Sequence, residues 1–504
     1  MAKKYRPWTP NQSWLFPPSP RDWLDKEHFV FFLMEVVDEL DIGAIEDTIH
    51  AKDARGNRPF DPRMLTALLL YGYCTGVRSS RKLEKATWED VATRVLVGEQ
   101  HPDHSVIARF RRRHITALEG LFLQVLKLCS RHGLTKLGHV ALDGTKVQAN
   151  ASKHKAMSHA RMKKEEERLR AEIEAMLADA EAVDREEDAQ YGSDKRGDEL
   201  PEELRRRVGR RERIRQAMAE IEAEAAQGRV EAVEARERRH EETAQEADAD
   251  ATEQEAAGRP EQAQQSRQAR RKAKRLAEKA RKQADAARKH LQEKKKAARY
   301  EPASAPDSLT DLPRHLAPWD AKGNPKPRAQ RNFTDPESRI MVSGGNYLQA
   351  YNGQAAVDSG HQIIVAADLS NTPPDTWQLQ PMVQQTIDAM GEPPTVFTAD
   401  NGYYADDNAI FCAERGIEAY ISTGKHPAAT EERQAMTARL QSEAGKAAYK
   451  RRKAIVEPVF GQIKEILGFR RFSLRGLDLA RGEWRLICTA HNLLKLWRYG
   501  AAAA

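Results

Sequence analysis

The chain has 504 residues, 40% of them hydrophobic, with 82 Lys or Arg against 75 Asp or Glu for a formal charge of +7; that length points to about three domains rather than one. Its four cysteines form no CxxC pair and no zinc-like spacing, so a reduced cytosol with no disulfide framework is the expected setting. No signal peptide opens it and no apolar run reaches the roughly 18–20 residues needed to span a bilayer, so a cytoplasmic setting without membrane contact is expected.

Residues 1–20, with Trp8, Trp14 and a proline-rich stretch from Pro10 to Pro20, read as an irregular lead-in. From Asp22 to Gly133 the apolar spacing is helical. HFVFFLMEVVDEL gives one helix. DPRMLTALLLYGYCTG gives another, opened by Pro62 and stopped by Gly76. SSRKLEKATWEDVATRVLVG and the run from Ser105 to Gly133 each read as a single helix. Arg109, Arg111, Arg112 and Arg113 crowd the start of the latter, so residues 1–135 resemble a helical, helix-turn-helix-like DNA reader. A helical bundle with a solvated basic face is the alternative. At residues 138–150 the period changes: HVALD is β-prone and is expected to deliver Asp143 at the carboxyl end of a strand.

Residues 161–300 hold 69 charged residues and only two aromatics, Tyr191 and Tyr300. Such a stretch cannot fill a wide core, but it can form long helices in a narrow coiled coil. Leu169, Ile173, Leu177, Ala180 and Val183 fit one seam, and Gly192 with Pro201 and Gly258 with Pro260 mark breaks. The acidic block 171–190 and the basic block 267–299 are candidates to pair as an antiparallel hairpin; the basic block could instead lie on phosphates, or simply be solvated.

A Pro-rich connector, 301–335, leads back to strand signals. YLQAYNGQAAVD and HQIIVAADLS flank Ser359-Gly360 as a hairpin. TWQLQPMVQQTIDAM reads as a helix, TVFTAD as a strand, DNAIFCAERG as a helix and EAYIST as a strand. A last long helix runs from about Ala447 to Leu467 and carries Glu457. The fold class is therefore mixed, α+β or α/β: an N-terminal helical domain, then a mixed sheet flanked by helices and interrupted by a long helical insertion.

Asp143 and Asp400 both end apolar runs and both precede turn formers, Gly144 and Asn401-Gly402. Carboxylates at one sheet edge supply the oxygen ligands that suit Mg2+ or Mn2+. Glu457 and Lys464 are seven residues apart, nearly two helical turns, and so share a face. Pro458 complicates this by favouring a helix start or a kink at Glu457. Basic residues surround the glutamate: Lys446, Lys450, Arg451, Arg452 and Lys453 before it, Arg470, Arg471, Arg475 and Arg481 after it.

LDGTKVQANAS, NFTDPESRIM with YLQAYNGQAAVD, TADNGYY, and VEPVFGQIK followed by GFRRFSLRG and EWRLICTAHNLLKLW resemble the DDE transposases of bacterial insertion sequences. The resemblance covers the N-terminal helical region and everything from about residue 330 onward. It implies an RNase H-like catalytic core in two parts, 136–160 and 336–500. It implies Asp143, Asp400 and Glu457 as the catalytic, metal-binding triad, with two Mg2+ ions (Mn2+ as a substitute) per site. It further implies double-stranded DNA as partner, both element ends and target, and a homodimer that holds two ends, in a nucleoid-associated setting. Lys146, Arg109, Arg111, Arg112, Arg113, Arg452, Lys453, Lys464, Arg470 and Arg471 are then the residues expected to contact DNA.

The family signature on the last catalytic helix places two residues between Tyr and Arg, three between Arg and Glu, and six between Glu and Lys. Glu457 and Lys464 keep the last spacing, and Tyr449 and Arg452 the first. Four residues separate Arg452 from Glu457, however, and Lys453 holds the expected position. Two rivals remain at this stage: a nuclease of the same fold that cuts without joining, and a non-enzymatic DNA-binding coiled-coil protein.

Overall fold

The computed structural model describes residues 19–51, 59–191, 202–298, 308–424 and 430–503; the expected lead-in falls almost wholly outside them. The regular elements described in the N-terminal region are all helical, the longer ones being α1 (Phe29–Glu39), α2 (Gly43–His50), α3 (Pro62–Cys74), α4 (Ser80–Glu89), α5 (Val91–Leu96), α6 (His104–Arg113) and α7 (Ile115–Arg131). α3 begins as its sequence dictates. The Asp61 carboxylate accepts from the amides of Arg63 and Met64, and Pro62 fills a first-turn position that needs no donor.

Two of the expected helices are each split in two. Asp90 adopts an extended backbone and its Oδ1 accepts from the Thr93 amide at 2.7 Å, so it ends α4 and caps α5. At His114 (φ −105°, ψ 17°) the chain leaves helical geometry between α6 and α7.

The sheet is mixed. β1 (His139–Gln148) is followed by the short β2 (Ala156–Ser158) and, beyond the insertion, by β3 (Gln330–Asn332), β4 (Arg339–Ser343), β5 (Asn346–Asp358), β6 (Ile364–Ser370), β7 (Val396–Ala399) and β8 (Glu418–Ile421). β5 pairs antiparallel with β1 on one edge, and with β4 and then β6 on the other. β1 pairs parallel with β7, and β7 parallel with β8. β5 thus runs against all its neighbours, as the expected β5–β6 hairpin requires. β1 does not stop at Asp143. β5 goes on pairing with it as far as Gln148, which leaves Asp143 in mid-strand opposite Ala355.

α11 (Leu379–Met390), α12 (Asp406–Glu414), α13 (Glu431–Gln441), α14 (Glu443–Gly461) and α15 (Leu477–Ala503) complete the order. α14 lies on β1, β5 and β7. α15 packs on β6 and also on α1, α3 and α7, so one apolar core runs from Phe29 through the sheet to Leu496. α14 continues through Pro458 instead of starting there. Pro458 has no N–H for the carbonyl of Ala454, and Gln362 Nε2 donates to that carbonyl in its place at 3.1 Å. A π turn, Gln462–Ile466, then carries Lys464 and alters the α-helical spacing from Glu457.

Among the described residues the insertion forms three helices, α8 (His159–Tyr191), α9 (Glu202–Ala256) and α10 (Pro260–Lys295). β2 and β3 pair antiparallel, Met157 with Arg331, so the chain leaves and re-enters the body at one place. α9 and α10 form a hairpin that turns at Gly258 (φ +69°). α10 buries Ala273, Ala277, Ala280, Ala284 and Ala287 at alternating helical spacing. The expected pairing of 171–190 with 267–299 is not what forms among the described side chains. The bases of α10 meet acids of α9 instead: Arg270 with Asp248 at 2.9 Å, Arg288 with Glu234 at 2.7 Å and Lys294 with Glu222 at 2.8 Å. The short turn at Gly258 closes onto its nearest helix at the least entropic cost. Leu169 and Ile173 are buried and Leu177 is exposed; the side chains of Ala180 and Val183, and the break at Gly192–Pro201, lie outside what is described. At the base, buried Arg331 pairs with Glu220 at 2.7 Å and Glu224 at 2.6 Å. The Trp319 ring fills the space over Gly228, where a Cβ would come within 2.5 Å of it. Among the described residues no helix is long and apolar enough to cross a membrane.

Two buried histidines, His139 and His491, and the half-buried His315 make stability depend on pH. Burial pulls His139, His315 and His491 down to about 4 from the ordinary 6.5. Each folded value is depressed, so the unfolded chain takes up protons first. The stabilisation is complete above about 6.5 and is lost as pH falls toward 4. Urea unfolding at pH 7.5 and at pH 5 is expected to show a clearly lower midpoint at pH 5.

Candidate active site

Register brings the two aspartates together. Ala141 of β1 partners Thr398 of β7, so Asp143 and Asp400, each two residues further on, stand abreast where β7 stops. Asp400 is extended (φ −80°, ψ −177°), and its Oδ1 accepts from the Gly402 amide at 2.8 Å, which starts a 3-10 turn. Asp143 Oδ1 accepts from the Gly144 amide at 2.8 Å, and its Oδ2 meets Arg452 Nη1 at 3.0 Å. Burial raises the Asp143 pKa; Arg452 and the Gly144 amide work against this, and the nearby Asp400 adds to it.

Arg452 reaches Asp143 because Arg452, Ile455, Val456 and Val459 form the inward face of α14. The Tyr449 ring lies 5.8 Å from the Arg452 guanidinium. Glu457, one position past Val456, is off that face. It is exposed and makes no hydrogen bond or ion pair among the described residues. The oxygens of Asp143, Asp400 and Glu457 are not gathered within 4.8 Å of one another. Among the described residues, the trio that meets this spacing is Glu84, Asp103 and His104, between α4 and α6.

A third aspartate, missed in the sequence, stands with the first two. Asp375 follows Pro373-Pro374 and precedes a helix, a setting that reads as a cap. Its carboxylate caps nothing. Its Oδ1 accepts from Asn352 Nδ2 at 2.6 Å and Gln354 Nε2 at 2.9 Å, and Lys146 Nζ lies at 3.4 Å. Gln354 is held in turn by the buried Tyr403 hydroxyl, which donates to its Oε1. Position 144 has room for glycine alone: a Cβ there would stand 2.7 Å from Gln354 Nε2 and 2.9 Å from Asp375 Oδ1. Burial, then Asp375, Asp143 and Asp400, push the Tyr403 phenol well above its ordinary range. The same three carboxylates oppose the downward pull of burial on Lys146. Lys464 Nζ donates to the Lys146 carbonyl at 2.9 Å.

The basic residues expected on DNA divide by burial. Arg109, Arg112 and Arg113 on α6, Lys453 on α14, and Arg470 and Arg471 beyond it are exposed; Arg470 pairs with Glu465, and Arg471 Nη2 donates to Asn150 Oδ1 at 3.0 Å. Two must be taken out of the set. Arg111 points inward with Ile107 and Phe110, donates from Nη1 to the Arg78 carbonyl at 2.8 Å and sits beside Tyr73 and Glu483. Arg452 is spent on Asp143. Lys146 and Lys464 are half-buried at the site itself.

As donors, Asp143 and Asp400 fit a hard divalent cation: they offer oxygen only, side by side, and remain partly open to solvent.

Two family models match the chain. A transposase domain (DUF772) model covers residues 18–113, and a transposase DDE domain model covers residues 411–497, a span that includes Arg452, Glu457 and α15 up to Trp497. Neither a curated protein nor a solved structure gives a match. The two matched stretches, one in the N-terminal helices and one in the helices behind the aspartate pair, are each similar to a transposase domain, in keeping with the resemblance to the insertion-sequence DDE transposases.

Proposed function

We propose that the chain binds the terminal inverted repeats of an insertion sequence, cuts there, and joins the freed ends to target DNA. Asp143, Asp400 and Glu457 are its catalytic carboxylates in this reading. The observation that carries it is the abreast placement of Asp143 and Asp400 at the end of β7, with the helix of Glu457 lying on the same strands. The strand order around β5 and the parallel run β1, β7, β8 support an RNase H-like core built from 136–160 and 336–500. Residues 161–300 then form a helical insertion, 301–335 its connector, and 1–135 the DNA-reading region.

Divalent cations, Mg2+ or Mn2+, would supply charge neutralisation and activation of the attacking oxygen when bound. Asp143 and Asp400 would hold them, with Glu457 closing from α14. Arg452 neutralises Asp143 and fixes its rotamer. Lys146 and Lys464 keep positive charge beside the carboxylates, where a scissile phosphate would come. Arg109, Arg112, Arg113, Lys453, Arg470 and Arg471 offer exposed charge to the backbone, a grip that weakens steeply with salt. Cutting two ends together calls for a homodimer on DNA.

The test is a joining assay with purified protein, labelled element-end duplex, supercoiled target and Mg2+. Joined product that disappears on chelation is expected. Cut ends without joined product would leave a nuclease, and binding without any cutting would refute the enzyme.

A further inference from the structure

We propose that Asp375 is a further carboxylate of the cation site, offering its Oδ2 beside Asp400 while the protein locks its Oδ1 in place. This rests on the reading of Asp143 and Asp400 as cation ligands and extends it to a residue outside the triad.

Three observations carry the assignment. The first is placement. A Cβ on Gly402 would stand 3.0 Å from Asp400 Oδ1 and 3.6 Å from Asp375 Oδ2. Both carboxylates therefore border the space over the bare Gly402 Cα. Gly144 clears the other side, since a Cβ there would meet Asp375 Oδ1 at 2.9 Å.

The second is preorganisation. Asn352, Gln354 and Lys146 all converge on Oδ1, and Tyr403 fixes Gln354. A carboxylate held by one oxygen presents the other in a fixed direction, as supporting hydrogen bonds do for metal ligands generally.

The third is an oxygen without a donor. Asn352 is fully buried and spends its Nδ2 on Asp375 and the Thr372 carbonyl. Its Oδ1 has no partner among the described residues, and it stands 3.0 Å from the Cβ position of Gly144. A buried acceptor left unpaired is costly, and a cation or one of its waters relieves that cost. Mg2+ keeps several waters when it binds, so Asp375 and Asn352 need not both touch the ion. Glu457 is exposed on the flank of α14, and neither it nor Asp375 gathers with both Asp143 and Asp400 inside 4.8 Å, so part of the set would reach an ion through its waters.

The test is Mn2+ binding to the full-length chain without DNA, read from the electron paramagnetic resonance signal of free Mn2+. Asp375→Asn preserves an anchored oxygen and removes only the anionic one. It is expected to weaken Mn2+ binding by about tenfold or more, the scale on which residues around a metal act. Asp375→Glu is expected to recover most of the loss. Asp143→Asn and Asp400→Asn serve as controls. If they abolish binding and Asp375→Asn binds like the parent, the assignment of Asp375 is wrong and the site reading stands. If neither control weakens binding, the site reading itself fails. Should Asp375→Asn not melt cooperatively, Gly402→Ala takes its place: it puts a methyl in the space both carboxylates border, and an unchanged Mn2+ affinity would overturn the proposal.

Discussion

Asp143→Asn is expected to abolish Mg2+-dependent nicking of element-end DNA, by about 10^4-fold or more, as loss of one member of a catalytic unit does, while end binding in a gel-shift assay stays close to the parent. The asymmetry follows from where the residues sit. Asp143 lies half-buried in mid-strand beside Asp400, whereas the exposed arginines are on α6 and past α14. Asparagine keeps the shape and one oxygen for Arg452, so the fold should tolerate it. Asp143→Ala should not be so mild. It would leave Arg452, 8% exposed, without its partner, and removal of one member of a buried pair costs on the order of 3 kcal/mol. Urea unfolding is expected to place the alanine variant clearly below the asparagine variant. If Asp143→Asn still cuts, the assignment of Asp143 is wrong.

Trp484→Ala is expected to be the most damaging single change to stability, by about 3–5 kcal/mol. Trp484 is fully buried, its Nε1 donates to the Gln354 carbonyl at 3.0 Å, and its ring fills the space over Gly353, where a Cβ would come within 2.9 Å. Truncation opens a cavity between α15 and β5 and strips a buried carbonyl of its donor. It also releases Gln354, whose side chain holds Asp375. Catalysis should therefore fall even at temperatures where the variant is folded. Trp484→Phe keeps most of the volume and loses only the N–H, so its cost should be well under half. Equal losses for the two variants in urea unfolding would contradict this account of the packing.

Much of the architecture could be read from spacing. The apolar runs that became β5, β6, β7 and β8 are short and β-prone, and the alternation of strands with helices gave the mixed sheet. The errors have local causes. LDGTKVQ looks like a strand ending in a turn because Gly144 and Lys146 are poor strand residues; pairing with β5 carries the strand past them. Asp375 was invisible because its partners, Asn352 and Gln354, lie more than twenty residues upstream and meet it only once β5 takes its register. Arg111 and Arg452 were legible and overlooked. Each sits at helical spacing with apolar neighbours, Ile107 and Phe110 for one, Ile455, Val456 and Val459 for the other, which places both on an inward face. The partner of α10 was misjudged because charge blocks alone were matched, and connection length was not weighed against them.

α15 has a consequence for how the molecule is made. It leaves the ribosome long after α1, α3 and α7, yet α3 and α7 pack on it as β6 does and α1 touches it. The first hundred-odd residues thus emerge long before the surface that covers their apolar sides exists. They must wait, partly unsheltered, for nearly four hundred more to be synthesised, at 5–20 residues per second in a typical cell. Sequence-distant contacts of this kind slow folding. A nascent chain halted before Leu477 should therefore show protease-sensitive N-terminal helices, and these should become resistant only once α15 has emerged.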